Sequence, residues 1–214
     1  MAIYQKAKQF RILDSVNFQV KEIYSAYRSG GLEVNGKFVG KSFYPFNEEG
    51  KTVFKEKFWN ADERKFDFRP YDGKLDKEFY KTYKKVFDVH VVLGEDVTLP
   101  VWDKEQKKEV DTVVAKGNEV VFQAISASKV KTMIEDLDLD EGIKLVEGTD
   151  KAGEKAMVKP FDWEDEYKDK LKEQFITMKV RGTGMDTKYK FKQGKPFKME
   201  EDDKFAINLD DIPF

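Results

Sequence analysis

Hydrophobic and polar positions along the chain change period in a way that favours strands over helices. Phe18-Gln-Val20-Lys-Glu-Ile23-Tyr24 is β-branched and aromatic with partial alternation, which predicts a half-buried strand. Gln9–Leu13 is a shorter apolar-rich piece of the same kind. Asn35-Gly36, flanked by Leu32-Glu-Val34 and Phe38-Val39, predicts a tight hairpin, because Asn-Gly tolerates the positive φ of a two-residue turn. Residues 37–68 hold short aromatic pieces broken by Pro45, 47–50 and 60–63, and Phe66-Asp-Phe68 alternates as a strand does. The segment 75–84 suits either a short helix capped by Asp76 or an extended piece. Val86–Leu93 and residues 119–125 predict two more strands.

Helical spacing is confined to a few places. Val130, Met133, Ile134 and Leu137 fall on one helical face, behind Ser126 or Ser128 as N-cap. A second short helix is expected around 165–172. Phe175–Val180 and Thr187–Phe191 predict a final hairpin with a loop longer than two residues. The expected fold is therefore mainly β with a few helices, an elaborated OB-fold β-barrel. Residues 1–198 would form the domain, with an exposed acidic insertion around 135–170, and 199–214 an acidic tail.

Composition narrows the chemistry. The 214 residues include no Cys and a single His, His90, which argues against a disulfide framework, a thiolate or histidine zinc site and a histidine triad. His90 lies between Val89 and Val91 and reads as an ordinary strand residue. No apolar run reaches the length of a membrane span, and the start lacks a signal-peptide pattern, so a cytoplasmic protein without cofactor is expected.

The net charge of −2 conceals a segregated distribution. Residues 199–214 hold six acids and one base, and residues 135–169 hold 13 acids and five bases, which leaves the rest at +11. That basic body is also rich in rings: 19 of the 30 aromatics lie in residues 1–90. Between Lys55 and Tyr71, five aromatics alternate with five bases. Cations neutralise phosphates and exposed rings stack on bases, so this mixture suits single-stranded nucleic acid. The bland reading makes each ring core and each base a solvated face. The candidates are Tyr24, Arg28, Lys41, Tyr44, Lys57, Trp59, Arg64, Phe68, Arg69 and Tyr71, with Trp59 and Tyr71 favoured for exposure because turn residues adjoin them. Phe66 and Phe68 share one face, as core or as platform. Near the end, Arg181, Lys188, Lys190 and Lys192 join them: the three lysines alternate with Tyr189 and Phe191, giving one cationic and one aromatic face.

The sequence ends in Asp210-Asp211-Ile212-Pro213-Phe214. This resembles the C-terminal tip of bacterial single-stranded DNA-binding proteins, and helix-destabilising proteins of several tailed phages likewise end in an acidic segment with a terminal aromatic. Phe175–Phe191 is similar to the last strand pair of such phage proteins, and Phe10-Arg-Ile-Leu13 to their first barrel strand. The Gly/Pro/Gln-rich linker of the bacterial proteins and the zinc site of the large-tailed-phage protein have no counterpart. The resemblance implies a non-catalytic single-stranded DNA-binding protein of replication, recombination or repair, in a bacterial host cytoplasm if phage-encoded. It also implies that Asp210–Phe214 recruits partner proteins: a ring for an apolar pocket, and carboxylates for a basic rim. Homo-oligomers fit the same picture. Two other classes remain. A metal-dependent nuclease or replication accessory enzyme would use Asp136, Asp138, Asp140 and Glu141, although their spacing departs from a calcium loop. A mediator that mimics a host tail would bind protein alone.

Overall fold

The computed structural model describes residues 15–118, 120–150, 152–181 and 188–198. Gln9–Leu13, the loop 182–187 and the tail 199–214 lie outside them. Strands make up 55% and helices 14%, so the fold is mainly β with few helices. Thirteen strands and three short helices are described. The described residues form two compact units, 25–87 and 15–24 with 88–198.

The first unit is an antiparallel meander. Strands β2 (Tyr27–Val34), β3 (Lys37–Glu48), β4 (Lys51–Asn60) and β5 (Lys65–Pro70) pair in sequence order, and the start of β6 (Tyr83–Leu93) lies on the other edge of β2. Tight turns set the register. Asn35 and Gly36 both have positive φ (52° and 74°), as a type I′ turn requires. Asn60 Oδ1 accepts from the backbone N–H of Asp62 and Glu63 and starts the β4–β5 turn. Of the two options for 75–84, the helix prevails over 77–82: Asp76 caps α1 (Lys77–Thr82) by accepting from Glu78 N and Phe79 N. It seats Phe79 on Phe43 and Tyr83, with Phe54 and Tyr71 alongside, as an all-aromatic core.

The second unit is built on β1 (Ser15–Ile23). One edge of β1 pairs with the later part of β6, and β6 with β9 (Val120–Ser126); the other edge pairs with β12 (Phe175–Arg181), and β12 with β13 (Lys188–Gln193). Helix α2 (Ala127–Asp136), capped by Ser126, buries Val130, Met133 and Ile134, the residues whose spacing predicted it. It also accounts for the free edge of β13. Asp136 Oδ2 accepts the Phe191 N–H at 2.8 Å, so a carboxylate takes the place of a neighbouring strand. Among the described residues the sheets do not close into a barrel.

Two further ribbons decorate this unit: β7 (Val97–Asp103) with β8 (Lys108–Ala115), and β10 (Val146–Thr149) with β11 (Lys155–Val158) in the acidic insertion. The insertion neutralises part of its own charge. Lys159 bridges Glu135 (2.6 Å) and Asp140 (2.7 Å), and Lys170 donates to Leu139 O and Glu141 O. Its short helix α3 (Glu164–Tyr167) runs into a single 3-10 turn over 168–171. Among the described residues no helix is long and apolar enough to cross a membrane.

Candidate nucleic-acid interface

Alternation along the strands of the first unit sorts its rings and charges onto two faces. Directly paired residues share a face, and the register therefore assigns each one. One face carries the aromatic core under α1. The other carries Tyr27, Tyr44, Phe46, Lys55, Lys57, Trp59, Phe66 and Phe68, on four neighbouring strands.

The rings on this second face form a connected surface. Tyr27 and Tyr44 are stacked, with centroids 4.6 Å apart and planes 6° from parallel. Phe68 meets Tyr44 and Phe46 edge-on at 5.5 and 5.2 Å, and Trp59 meets Phe66 at 5.1 Å. Lysines are threaded through them: Lys55 Nζ lies 4.7 Å from the Phe46 centroid, and Lys57 Nζ lies 4.8 Å from that of Phe66 and 5.5 Å from that of Tyr44. Tyr27 is buried and Tyr44, Phe46 and Phe68 are half-covered, while Trp59 stays 54% and Phe66 45% exposed. A soluble sheet usually covers such a face or makes it polar. This one presents π-faces and cations, the two groups that a single strand needs.

Tyr44, Lys57, Trp59 and Phe68, four of the candidates read from sequence, come together here. Phe66 shares their face, which places the Phe66/Phe68 pair opposite the aromatic core. Four others go to the opposite face. Tyr71 packs on Phe43 and Phe79, with centroids 4.9 and 5.1 Å away, so where exposure was expected it is half-buried against the aromatic core. The physical reason is a hydrogen bond from Tyr71 N to Phe54 O, which folds the chain back beyond β5. Lys41 and Arg69 both pair with Glu56, at 3.1 and 3.0 Å, and Arg28 lies over Tyr80 at 4.8 Å. Arg64 sits in the β4–β5 turn with φ 52°, exposed. Sequence reasoning passed over Phe46 and Lys55 as site residues. Their parity with Tyr44 and Lys57 was the available signal, but the register that makes parity meaningful across strands comes only from the fold.

In the second unit, Tyr24 hydrogen-bonds His90 Nδ1 through its hydroxyl at 3.1 Å, with the rings edge-on. Burial pushes the His90 imidazole below its usual pKa and raises that of the Tyr24 phenol, so both are neutral at neutral pH. This pair is a polar strand contact. The cationic ladder is a different matter. Arg181 pairs with Lys188, Lys179 with Lys190 and Thr177 with Lys192, and all five cations are exposed, while Ile176 and Phe191 are buried on the opposite face. Like charges directly opposite one another destabilise a sheet. None of the five forms an ion pair with another described residue.

Among the described residues, no group of three His, Asp or Glu side chains could hold a metal ion. The Lys159 ammonium, hydrogen-bonded to Asp140, holds that carboxyl below its usual pKa. Comparison with family models, curated proteins and solved structures finds no match to this chain.

Proposed function

We propose that this protein binds single-stranded DNA without catalysis and with little sequence preference, and that it belongs with the single-stranded DNA-binding proteins of phage and bacterial replication, recombination and repair. The observation that carries this is the face of connected rings and interleaved lysines on β2–β5. Base stacking on such rings contributes roughly 1–3 kcal/mol per base and tolerates any sequence, because every base has a π-face. The exposed ladder of Lys179, Arg181, Lys188, Lys190 and Lys192 adds sequence-independent attraction to phosphates.

The second unit is read as an open, elaborated OB fold. Its support is the order of connections: β1, β6 and β9 are neighbours in that order, α2 follows β9, and β12 returns to the free side of β1 with β13 outside it. A five-stranded OB barrel is wound in this way, and it binds oligonucleotides with the face of its second and third strands and with the loops joining strands 1–2 and 4–5. Here the first of those loops corresponds to the connection from β1 to β6, which is the whole aromatic–lysine unit. The second, between β12 and β13, lies outside the described residues. The acidic tip Asp210–Phe214 is assigned to partner docking in the same reading.

Titration of the intrinsic tryptophan fluorescence with oligo-dT at two salt concentrations tests the function. Strong quenching that weakens steeply with salt is expected, with a log–log slope of about −0.7 per phosphate contacted. Unchanged fluorescence together with no binding at low salt would remove the proposal.

A further inference from the structure

The aromatic face contains a polar strip that stacking alone does not explain. One row runs straight across four strands: Lys84 pairs with Ser29, Ser29 with Ser42, and Ser42 with Lys57. The two hydroxyls are therefore flanked by a lysine on either side. Ser42 Oγ and Ser29 Oγ are 3.5 Å apart, long for an O–H···O bond, so they hold each other weakly and can turn to a common acceptor.

The neighbouring rows make this strip a depression. On one side stands the half-buried ring of Tyr44, stacked on the buried ring of Tyr27. On the other, Gly31 pairs with Gly40, and the Phe38 ring closes over them: a Cβ built on Gly31 would come 2.6 Å from Phe38 Cζ. Glycine here lets a ring that is 74% exposed stand beside the serines. Rows on one face repeat every two residues, about 6.8 Å. Short hydroxyls with cations at both ends, between rings one step away, match a ligand in which anions and flat rings alternate along a chain.

We propose that Lys84, Ser29, Ser42 and Lys57 form a phosphodiester subsite. The single strand crosses the β-strands along this row and lays its bases on the rings at either side. The inference rests on the single-strand-binding function proposed above and adds to it the groups that hold the backbone.

The test is oligo-dT titration of the full chain, with circular dichroism to verify folding, for wild type, Ser29→Ala/Ser42→Ala, Lys84→Glu and Trp59→Ala. The double serine variant is expected to bind about tenfold more weakly or worse, with an unchanged salt slope, because it removes donors and no charge. Lys84→Glu, at an exposed position that should leave folding intact, is expected to weaken binding and to reduce the slope by about 0.7 or more. Wild-type affinity in both the serine variant and Lys84→Glu, with Trp59→Ala weakened, would overturn the subsite while leaving the stacking platform standing. No binding by the wild type at any salt would overturn the function itself, and the subsite with it.

Discussion

Trp59 and Tyr71 stand beside turns twelve residues apart, and the fold gives them opposite roles. Trp59 touches Phe66 at the rim of the ring-bearing face, whereas Tyr71 closes the aromatic core under α1. Their truncations should therefore separate binding from stability. Trp59→Ala is expected to weaken oligo-dT binding by about 1–3 kcal/mol with little change in urea midpoint. Tyr71→Ala is expected to lower stability by about 2 kcal/mol, and to affect binding only through the folded fraction. Equal loss of stability in the two variants would contradict this division. The sequence showed that both residues were large, aromatic and next to turn residues. It did not show which side of the sheet each one takes.

The β12–β13 hairpin carries an electrostatic cost on its surface. Lys179 faces Lys190 and Arg181 faces Lys188, and none of the four forms an ion pair with another described residue. A surface shaped for stability alone would alternate signs there. Lys190→Glu is accordingly expected to raise stability by about 0.2–1 kcal/mol in chemical denaturation while weakening oligo-dT binding and flattening its salt dependence. Stabilisation without any loss of affinity would reduce the ladder to a solvated face. The alternation of Lys188, Lys190 and Lys192 with Tyr189 and Phe191 was legible in the sequence, and burial follows it: Phe191 is covered and the lysines are not. The β7–β8 and β10–β11 ribbons were not foreseen. β8, β10 and β11 mix charged and apolar residues without a clear period, and Pro100 interrupts the apolar run of β7.

At the scale of the whole molecule, charge is partitioned along the chain: a basic, ring-rich body, an acidic insertion and an acidic tail, summing to −2. Removal of Asp210–Phe214 takes away two carboxylate side chains and the terminal ring. It is expected to leave oligo-dT affinity equal or somewhat higher, and to abolish recovery of replication or repair enzymes in a pull-down. Unchanged recovery would dismiss the tip as the docking element.

Local physics made much of this readable in advance. The Asn35-Gly36 turn, the Ser126 cap with its buried Val130–Met133–Ile134 stripe, the strands around Phe18–Ile23 and Val86–Leu93, and the mainly β class each depend on residues within one turn or one period of each other. The division into two units, the row of Ser29 and Ser42 between lysines, and the separation of Tyr44, Trp59 and Phe68 from Tyr71 depend on strand register. In the serine row, register joins residues 13 to 55 positions apart, and a shift of one residue would exchange the two faces. No local pattern fixes that choice. It is set when Phe43, Phe79 and Tyr83 pack together on one face of the meander.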